Sequence, residues 1–148
     1  MANLQLAADA FRDWSCAVSP VFETAPWGPV PQQDYLNAVL VVADPQADAA
    51  LWLVRAQAAE QLAGRTREVR WGPRTLDVDV IAVDSVHSTD PELTLPHPRA
   101  AERAFVLVPW QAVEPAAVLG EAAVVDLIAA LPPEEVAAVR RRADLVIA

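Results

Sequence analysis

Arg70-Trp71-Gly72-Pro73-Arg74-Thr75-Leu76-Asp77-Val78-Asp79-Val80-Ile81 couples an arginine-rich loop to a stretch that carries two carboxylates. Its alternation predicts a strand over residues 75–83. Successive side chains on a strand point to opposite faces. Thr75, Asp77, Asp79 and Ile81 therefore share one face, and Leu76, Val78, Val80 and Ala82 share an apolar face that reads as core. The two carboxylates then stand side by side, about 6–7 Å apart given the rise per residue of a strand. Like charges that close repel, and a cation between them relieves the repulsion. Mg²⁺ takes oxygen ligands and is commonly held by one or two carboxylates plus substrate phosphates. Immediately upstream, Arg65, Arg67, Arg70 and Arg74 place four fixed positive charges within ten residues. Guanidinium groups suit phosphate oxygens through bidentate hydrogen bonds. An Asp-x-Asp alone also fits a solvated strand face, and an arginine run alone a solvated loop. Their adjacency across the stiff Trp71-Gly72-Pro73 turn favours phosphoryl-type transfer from a nucleotide.

The rest of the composition narrows the field. A chain of 148 residues suits a single domain spanning 1–148 with a sizeable core. With 54% apolar residues a packed globule is expected. The net charge of −9 argues against general binding to nucleic acid or to an anionic membrane. All eleven basic residues are arginine, and the four glycines are scattered at 28, 64, 72 and 120. Neither a Gly-x-x-x-x-Gly-Lys loop nor a Gly-x-Gly-x-x-Gly loop can be drawn, so a nucleotide must be held by side chains and metal. The single cysteine, Cys16, excludes an internal disulfide and a thiolate metal site, and reads as a small buried or edge residue. Charges interrupt every apolar run before it reaches membrane-spanning length, and a reducing cytoplasm is the expected setting.

Periodicity predicts a helix over 3–14 with Leu4, Ala7, Ala8, Phe11 and Trp14 on one side. Strands are expected over 17–23 and 35–43, separated by a proline-rich loop. Asp44-Pro45 reads as the start of a helix that stops at Gly64. A further helix is expected from Arg99 toward Val108, and two more over 122–131 and 133–142. The order helix–strand–strand–helix–strand lacks only a leading strand to become strand–helix–strand–strand–helix–strand, an α+β, ferredoxin-like antiparallel sheet with helices packed on it.

Several ordered blocks share one family resemblance. Arg70 to Asp79 resembles the signature of 6-hydroxymethyl-7,8-dihydropterin pyrophosphokinases, enzymes of folate biosynthesis. Thr24-Ala25-Pro26-Trp27-Gly28 and Asp34-Tyr35-Leu36-Asn37-Ala38 resemble the family's pterin-side loop and strand. Gln57-Ala58-Ala59-Glu60 with Gly64-Arg65 resembles the end of its second helix. Leu93-Thr94-Leu95-Pro96-His97-Pro98 and Arg103 through Pro109 resemble its downstream block. The likeness spans residues 2–115 and is looser beyond Val118.

The resemblance implies transfer of pyrophosphate from ATP to the hydroxymethyl group of the pterin, with release of AMP. It implies that Asp77 and Asp79 hold two Mg²⁺ ions, and that Arg65, Arg74 and Arg103 contact phosphate and stabilise the transferring charge, with Arg70 as a fourth member. Thr94 and His97 fall on the ATP side, with Gln57 and Glu60 nearby. Thr24, Ala25, Trp27, Tyr35 and Asn37 fall on the pterin side, with the ring stacked between Trp71 and Phe105. Tyr35 and Phe105 also fit plain core positions, and His97 a loop histidine. A monomer is expected, with contact to neighbouring folate-pathway enzymes as a further option. The segments 24–34 and 65–74 resemble the family's mobile covers.

The family also carries a first strand and a Gly-Ser-Asn-Leu-Gly loop that these residues do not match. Met1-Ala2-Asn3-Leu4 falls where the family already enters its first helix. Either an upstream extension supplies that strand, or the chain is a weakened form or a ligand-binding or interaction module on the same scaffold. Glu92 stands where some members carry a basic residue near ATP, and Pro98 where an aromatic occurs. An RNA-binding ferredoxin-like domain is disfavoured by the acidic charge and the lack of an aromatic-basic sheet motif.

Overall fold

A computed structural model describes residues 1–25, 34–65 and 76–148, with Arg65 described in its backbone alone. Trp27, Arg70, Trp71 and Arg74 lie outside the described residues, as do most of both expected covers and the side chain of Arg65. Small antiparallel sheets and helices give an α+β fold.

The first helix, α1 (Ala2–Ala10), is shorter than its periodicity predicts. It gives way to a 3-10 turn over Arg12–Trp14. Ala7, Ala8 and Phe11 are buried, as the pattern requires. Each of the two long strands expected next is broken in the middle. The first becomes β1 (Ser15–Val18) and β2 (Phe22–Thr24), the second β3 (Tyr35–Asn37) and β4 (Leu40–Val42). Pro20 is the cause, because it has no N–H to continue a ladder. The breaks face each other across Ser19. Its N–H donates to Val39 O at 2.9 Å, and its buried hydroxyl accepts the Val39 N–H at 2.8 Å. β1 then pairs with β4, and β2 with β3.

The next helix starts later than the proline signal implies. Asp44 closes a turn instead: its Oδ1 accepts the Gln46 N–H at 3.0 Å and its carbonyl the Ala47 N–H. Asp48 takes over the capping, accepting the Leu51 N–H at 2.8 Å, and α2 runs Ala49–Arg65. Trp52, Ala56, Ala59 and Ala63 form its buried stripe.

The freed Asp44 carboxylate pairs with Arg55 of α2 at 2.9 Å. The Arg55 guanidinium carbon lies 3.7 Å from the Trp14 ring centroid and 4.8 Å from that of Trp52. Phe11 stacks on Trp52 at 6.4 Å. The buried Arg55 Nη1 finds no hydrogen-bond partner among the described residues, so the two indole faces supply its stabilisation.

Residues 76–83 keep the expected alternation at first: Leu76 is buried, Asp77 and Asp79 are exposed, and Val78 and Val80 are half-buried. They form no strand ladder among the described residues. This corrects the strand expected over 75–83: the zigzag is present, but a ladder needs a neighbour. Val78 and Val80 pack on the Phe11–Trp52–Ala56–Ala59 cluster, as do Leu40 and Val42 of β4. Ile81 and Ala82 pack on a second cluster built from Ala100, Val106, Leu107 and Val124.

A hairpin follows, β5 (Ser88–Asp90) with β6 (Leu93–Leu95). A 3-10 turn over Ala100–Glu102 leads into α3 (Ala104–Val113), which therefore begins five residues after Arg99. α3 packs against β2 and β3. The C-terminal part contains the hairpin β7 (Val118–Leu119) and β8 (Ala122–Ala123), then α4 (Val124–Ala130) and α5 (Pro133–Ala137). The helix expected over 133–142 ends early. Arg140–Arg141 instead form β9, paired antiparallel with β2.

Two outcomes test this core. Arg55→Ala removes the cation between Trp14 and Trp52 and leaves Asp44 unpaired, so urea unfolding should show a loss of about 1–3 kcal/mol. The Gln46 N–H, and then Arg55, hold the Asp44 carboxyl below the usual carboxylate range. A depressed carboxylate stabilises the fold above the ordinary carboxyl pKa of about 4 and loses that contribution as pH falls through its folded value. The melting temperature of Asp44→Asn should therefore lie below that of the parent at neutral pH, with the gap closing below about pH 4.

Candidate functional site

The Asp77–Asp79 segment is positioned by α2. Glu60 sits on the edge of the buried stripe, one helical turn beyond Ala56 and one before Ala63. Its Oε2 accepts the Val78 N–H at 3.1 Å. A side chain thus satisfies the amide that lies between the two aspartates. From the other side, the His97 N–H donates to Ile81 O at 2.8 Å. Held at these two points, the zigzag turns Asp77 and Asp79 outward and Val78 and Val80 inward.

Asp79, Thr94 and His97 come together around a recess of about 220 Å³. Leu53, Val78 and Val80 give it an apolar floor, and Glu92 and Pro98 also line it. The two positions that depart from the family pattern therefore both face this recess. Thr94 is fixed by its hydroxyl, which donates to Asp90 O at 3.0 Å. The His97 Nδ1 accepts the Arg99 N–H at 3.2 Å, which assigns the neutral ring's proton to Nε2. Burial pushes the His97 pKa down; Asp79 opposes that shift, while Arg103 and Arg99 add to it. His97 is therefore a neutral donor at physiological pH.

Arg103 is the N-cap residue of α3, with its guanidinium carbon 5.5 Å from the Phe105 ring centroid. Phe105 is half-buried and packs on the Ala100–Leu107 cluster, so it serves the core as well. On the neighbouring sheet, Asn37 Nδ2 donates to Thr24 Oγ1 at 3.1 Å. Tyr35, the register partner of Thr24, is 48% exposed, which excludes a plain core role. Ala25 is exposed at the end of the described stretch, and Gln57 is exposed on α2 outside the recess.

The described residues thus gather two groups. Asp79, Thr94 and His97 line the recess, with Glu60 bonded to the Val78 N–H at its edge and Asp77 next along the same segment, and Thr24, Tyr35 and Asn37 share one sheet face. α3, capped by Arg103, packs against that sheet. Among the described residues no cluster of three or more His, Cys, Asp or Glu side chains could hold a metal. A larger hollow of about 550 Å³ beside α1, lined by Gln5, Leu6, Asp9 and Leu62, is mostly hydrocarbon and lies apart from these groups. Among the described residues, no helix is long and apolar enough to cross a membrane.

Sequence reasoning placed Glu60 near a nucleotide but missed its bond to Val78. The available signal was an acid at the margin of an otherwise alanine-lined helix stripe. The apolar floor of the recess also went unread, because Leu53 looks like any helix residue.

Comparison with known proteins adds relatives of one kind. The 7,8-dihydro-6-hydroxymethylpterin-pyrophosphokinase (HPPK) family matches residues 1–115. The 2-amino-4-hydroxy-6-hydroxymethyldihydropteridine pyrophosphokinase of Mycobacterium tuberculosis strain H37Rv is 46% identical over 153 residues, covering 95% of this chain and 81% of that protein. The protein of the same name from Mycobacterium leprae is 48% identical over 154 residues with the same coverage. That of Bacillus subtilis is 40% identical over 92 residues, covering 62% of this chain and 54% of its own. With that match across the recess and the sheet face alike, the chain belongs to the 7,8-dihydro-6-hydroxymethylpterin-pyrophosphokinase family.

Proposed function

We propose that this chain transfers pyrophosphate from ATP to the hydroxymethyl group of 6-hydroxymethyl-7,8-dihydropterin, releasing AMP, in folate biosynthesis. Family membership supports the reaction, and the grouping of Asp79, Thr94 and His97 around one recess carries the assignment of the site. At about 220 Å³ the recess is smaller than a typical ligand cleft of about 300–1,000 Å³, so it takes part of a nucleotide. Thr94 and the Nε2–H of His97 offer neutral hydrogen bonds there. Arg103 brings fixed positive charge for phosphate, joined in this reading by Arg65, Arg70 and Arg74. On the pterin side, Asn37 and Thr24 read the ring edge beside Tyr35, Ala25 and Trp27, and Trp71 and Phe105 supply stacking area.

The donor chemistry of the Asp77–Asp79 pair fits Mg²⁺. Both carboxylates are exposed on one side of a fixed segment. Two protein ligands, with phosphate oxygens completing the shell, is the usual arrangement for this hard cation. Bound there, a pair of Mg²⁺ ions supplies charge neutralisation and a lowered hydroxyl pKa. The residues of the chain do the positioning. Glu60 fixes the amide between the two aspartates, and the bond from His97 to Ile81 O ties the recess to the same segment.

The finer fold belongs to the same reading. β1, β4 and residues 76–83 are parts of a ferredoxin-like sheet whose first strand is not contained in these 148 residues. The support is that β4 and residues 76–83 pack on one apolar cluster, while neither has a further ladder partner among the described residues. An added strand between them would pair both edges. The protein then acts as a cytoplasmic monomer on small molecules.

Nucleotide product analysis tests this. Pterin-dependent AMP, rather than ADP, is expected from the protein with ATP and Mg²⁺, and an upstream family-like strand should raise the rate. A folded protein that binds pterin but forms no AMP in either version would replace catalysis by binding alone. Asp77→Ala should abolish AMP formation, and near-normal turnover would remove the metal role. Glu60→Ala leaves a half-buried N–H unpaired, which costs about 1–3 kcal/mol of stability. It should also raise the Mg²⁺ concentration needed for half-maximal rate, read by titration at fixed ATP.

A further inference from the structure

The sheet of β3, β2 and β9 has two chemically different faces. Alternation along β2 and β3 puts Phe22, Thr24, Tyr35 and Asn37 on one side, where Asn37 bonds Thr24. Glu23 points to the other side, directly opposite Arg140 in the register of β2 with β9. On that side Arg140 Nη2 lies 3.0 Å from the Asp34 carboxylate and 3.8 Å from that of Glu23. Arg142, two residues on, reaches Glu23 at 3.1 Å and Asp144 at 2.7 Å. Glu23 and Asp34 each stand next to a register partner on the opposite face, Thr24 and Tyr35. One arginine therefore spans the two strands just where they carry the Thr24–Tyr35 pair.

β9 is fixed by more than side chains. The Arg142 N–H donates to Val21 O at 2.8 Å. At the far end, the Ala148 N–H donates to Gln5 Oε1 at 2.8 Å, and Gln5 Nε2 donates back to Ala148 O at 2.9 Å. The segment 140–148 is thus anchored to β2 at one end and to α1 at the other, and it presents its arginines from a braced backbone.

We propose that Arg140 and Arg142 are positioning residues for pterin binding. By bracing Glu23 and Asp34 from the back of the sheet, they hold Thr24, Tyr35 and Asn37 in register on its front. This rests on the pterin-side reading above and extends it to a segment beyond the family match at residue 115. Neither arginine touches the ligand face, so the effect belongs in the Michaelis constant for pterin and not in the chemical step. Because Arg140 is 58% exposed, salt screens its pairs and the effect is moderate.

Steady-state kinetics with ATP, Mg²⁺ and 6-hydroxymethyl-7,8-dihydropterin test the inference. The pterin is uncharged, so its own binding brings no salt dependence. Its KM in the parent protein should nonetheless rise with added NaCl as the ion pairs are screened. Arg140→Ala with Arg142→Ala should raise the pterin KM about three- to tenfold and flatten that salt dependence, leaving kcat and the ATP KM unchanged. A salt-independent pterin KM in the parent overturns the inference without any variant. So does an unchanged pterin KM in the arginine variants, or an equal fall in kcat. A parent protein that forms no pterin-dependent AMP overturns the proposed reaction and this inference together, whereas the other outcomes overturn the inference alone.

Discussion

The hydrogen bond from the Val78 N–H to the Glu60 carboxylate, 3.1 Å long, is the contact on which the recess depends. Residues 76–83 are extended but have no ladder partner among the described residues to hold them. Side chains and single bonds must therefore do what a neighbouring strand does elsewhere. Glu60 grips the segment from α2, and Ile81 O receives the His97 N–H from the loop after β6. Between these points the pleat has one choice of side for each residue. Shifting it by one residue would bury the aspartates and expose the valines, an exchange that costs several kcal/mol for the charges alone. The outward aim of Asp77 and Asp79 thus follows from apolar packing and one carboxylate.

The same economy recurs in the sheet of β2, β3 and β9. A strand of three residues has little ladder to fix its register, yet β2 has neighbours on both sides. Alternation sorts its side chains into a face with uncharged hydrogen-bonding groups and a face of ion pairs. Glu23, 17% exposed on its side chain, is the most shielded carboxylate of that network and meets two arginines. Charge pairing there is exchanged for register, which is a use of ion pairs better attested than raw stability.

Much of this was legible in residues 76–83, because a period of two in a run of valines and aspartates has one physical reading. The burial of Ala7, Ala8 and Phe11 on the first helix was legible for the same reason with the helical period. What failed were boundaries and the ladder expected over 75–83. Asp44-Pro45 carries every sign of a helix start, but Asp44 was needed by Arg55, and Asp48 could cap equally well. Pro20 marks the break between β1 and β2 locally, whereas the break in the second strand at Ala38-Val39 comes from its partner and leaves no mark in its own residues. Arg140 to Arg142 read as the end of a helix because their partners, Glu23 and Asp34, lie more than a hundred residues away. Local periodicity carries no information about such pairs. The arginine and tryptophan run from Arg70 to Arg74 lies outside the described residues, so its part in the site rests on family membership.

An acidic chain that handles a polyanion must separate its charges. The net charge of −9 would repel ATP if it were spread evenly, but its reach in physiological salt is only about 8 Å. Local composition therefore decides. Around His97, burial is the main force that pushes the imidazole pKa down; Asp79 opposes it, and Arg103 and Arg99 add to it. A charged imidazole would add attraction for phosphate but would repel the cations that the aspartates are suited to hold. A neutral one donates a hydrogen bond without entering that competition. Near His97, Arg103 at the cap of α3 supplies fixed positive charge, whereas His97 and Thr94 on the wall of the recess present uncharged hydrogen-bonding groups.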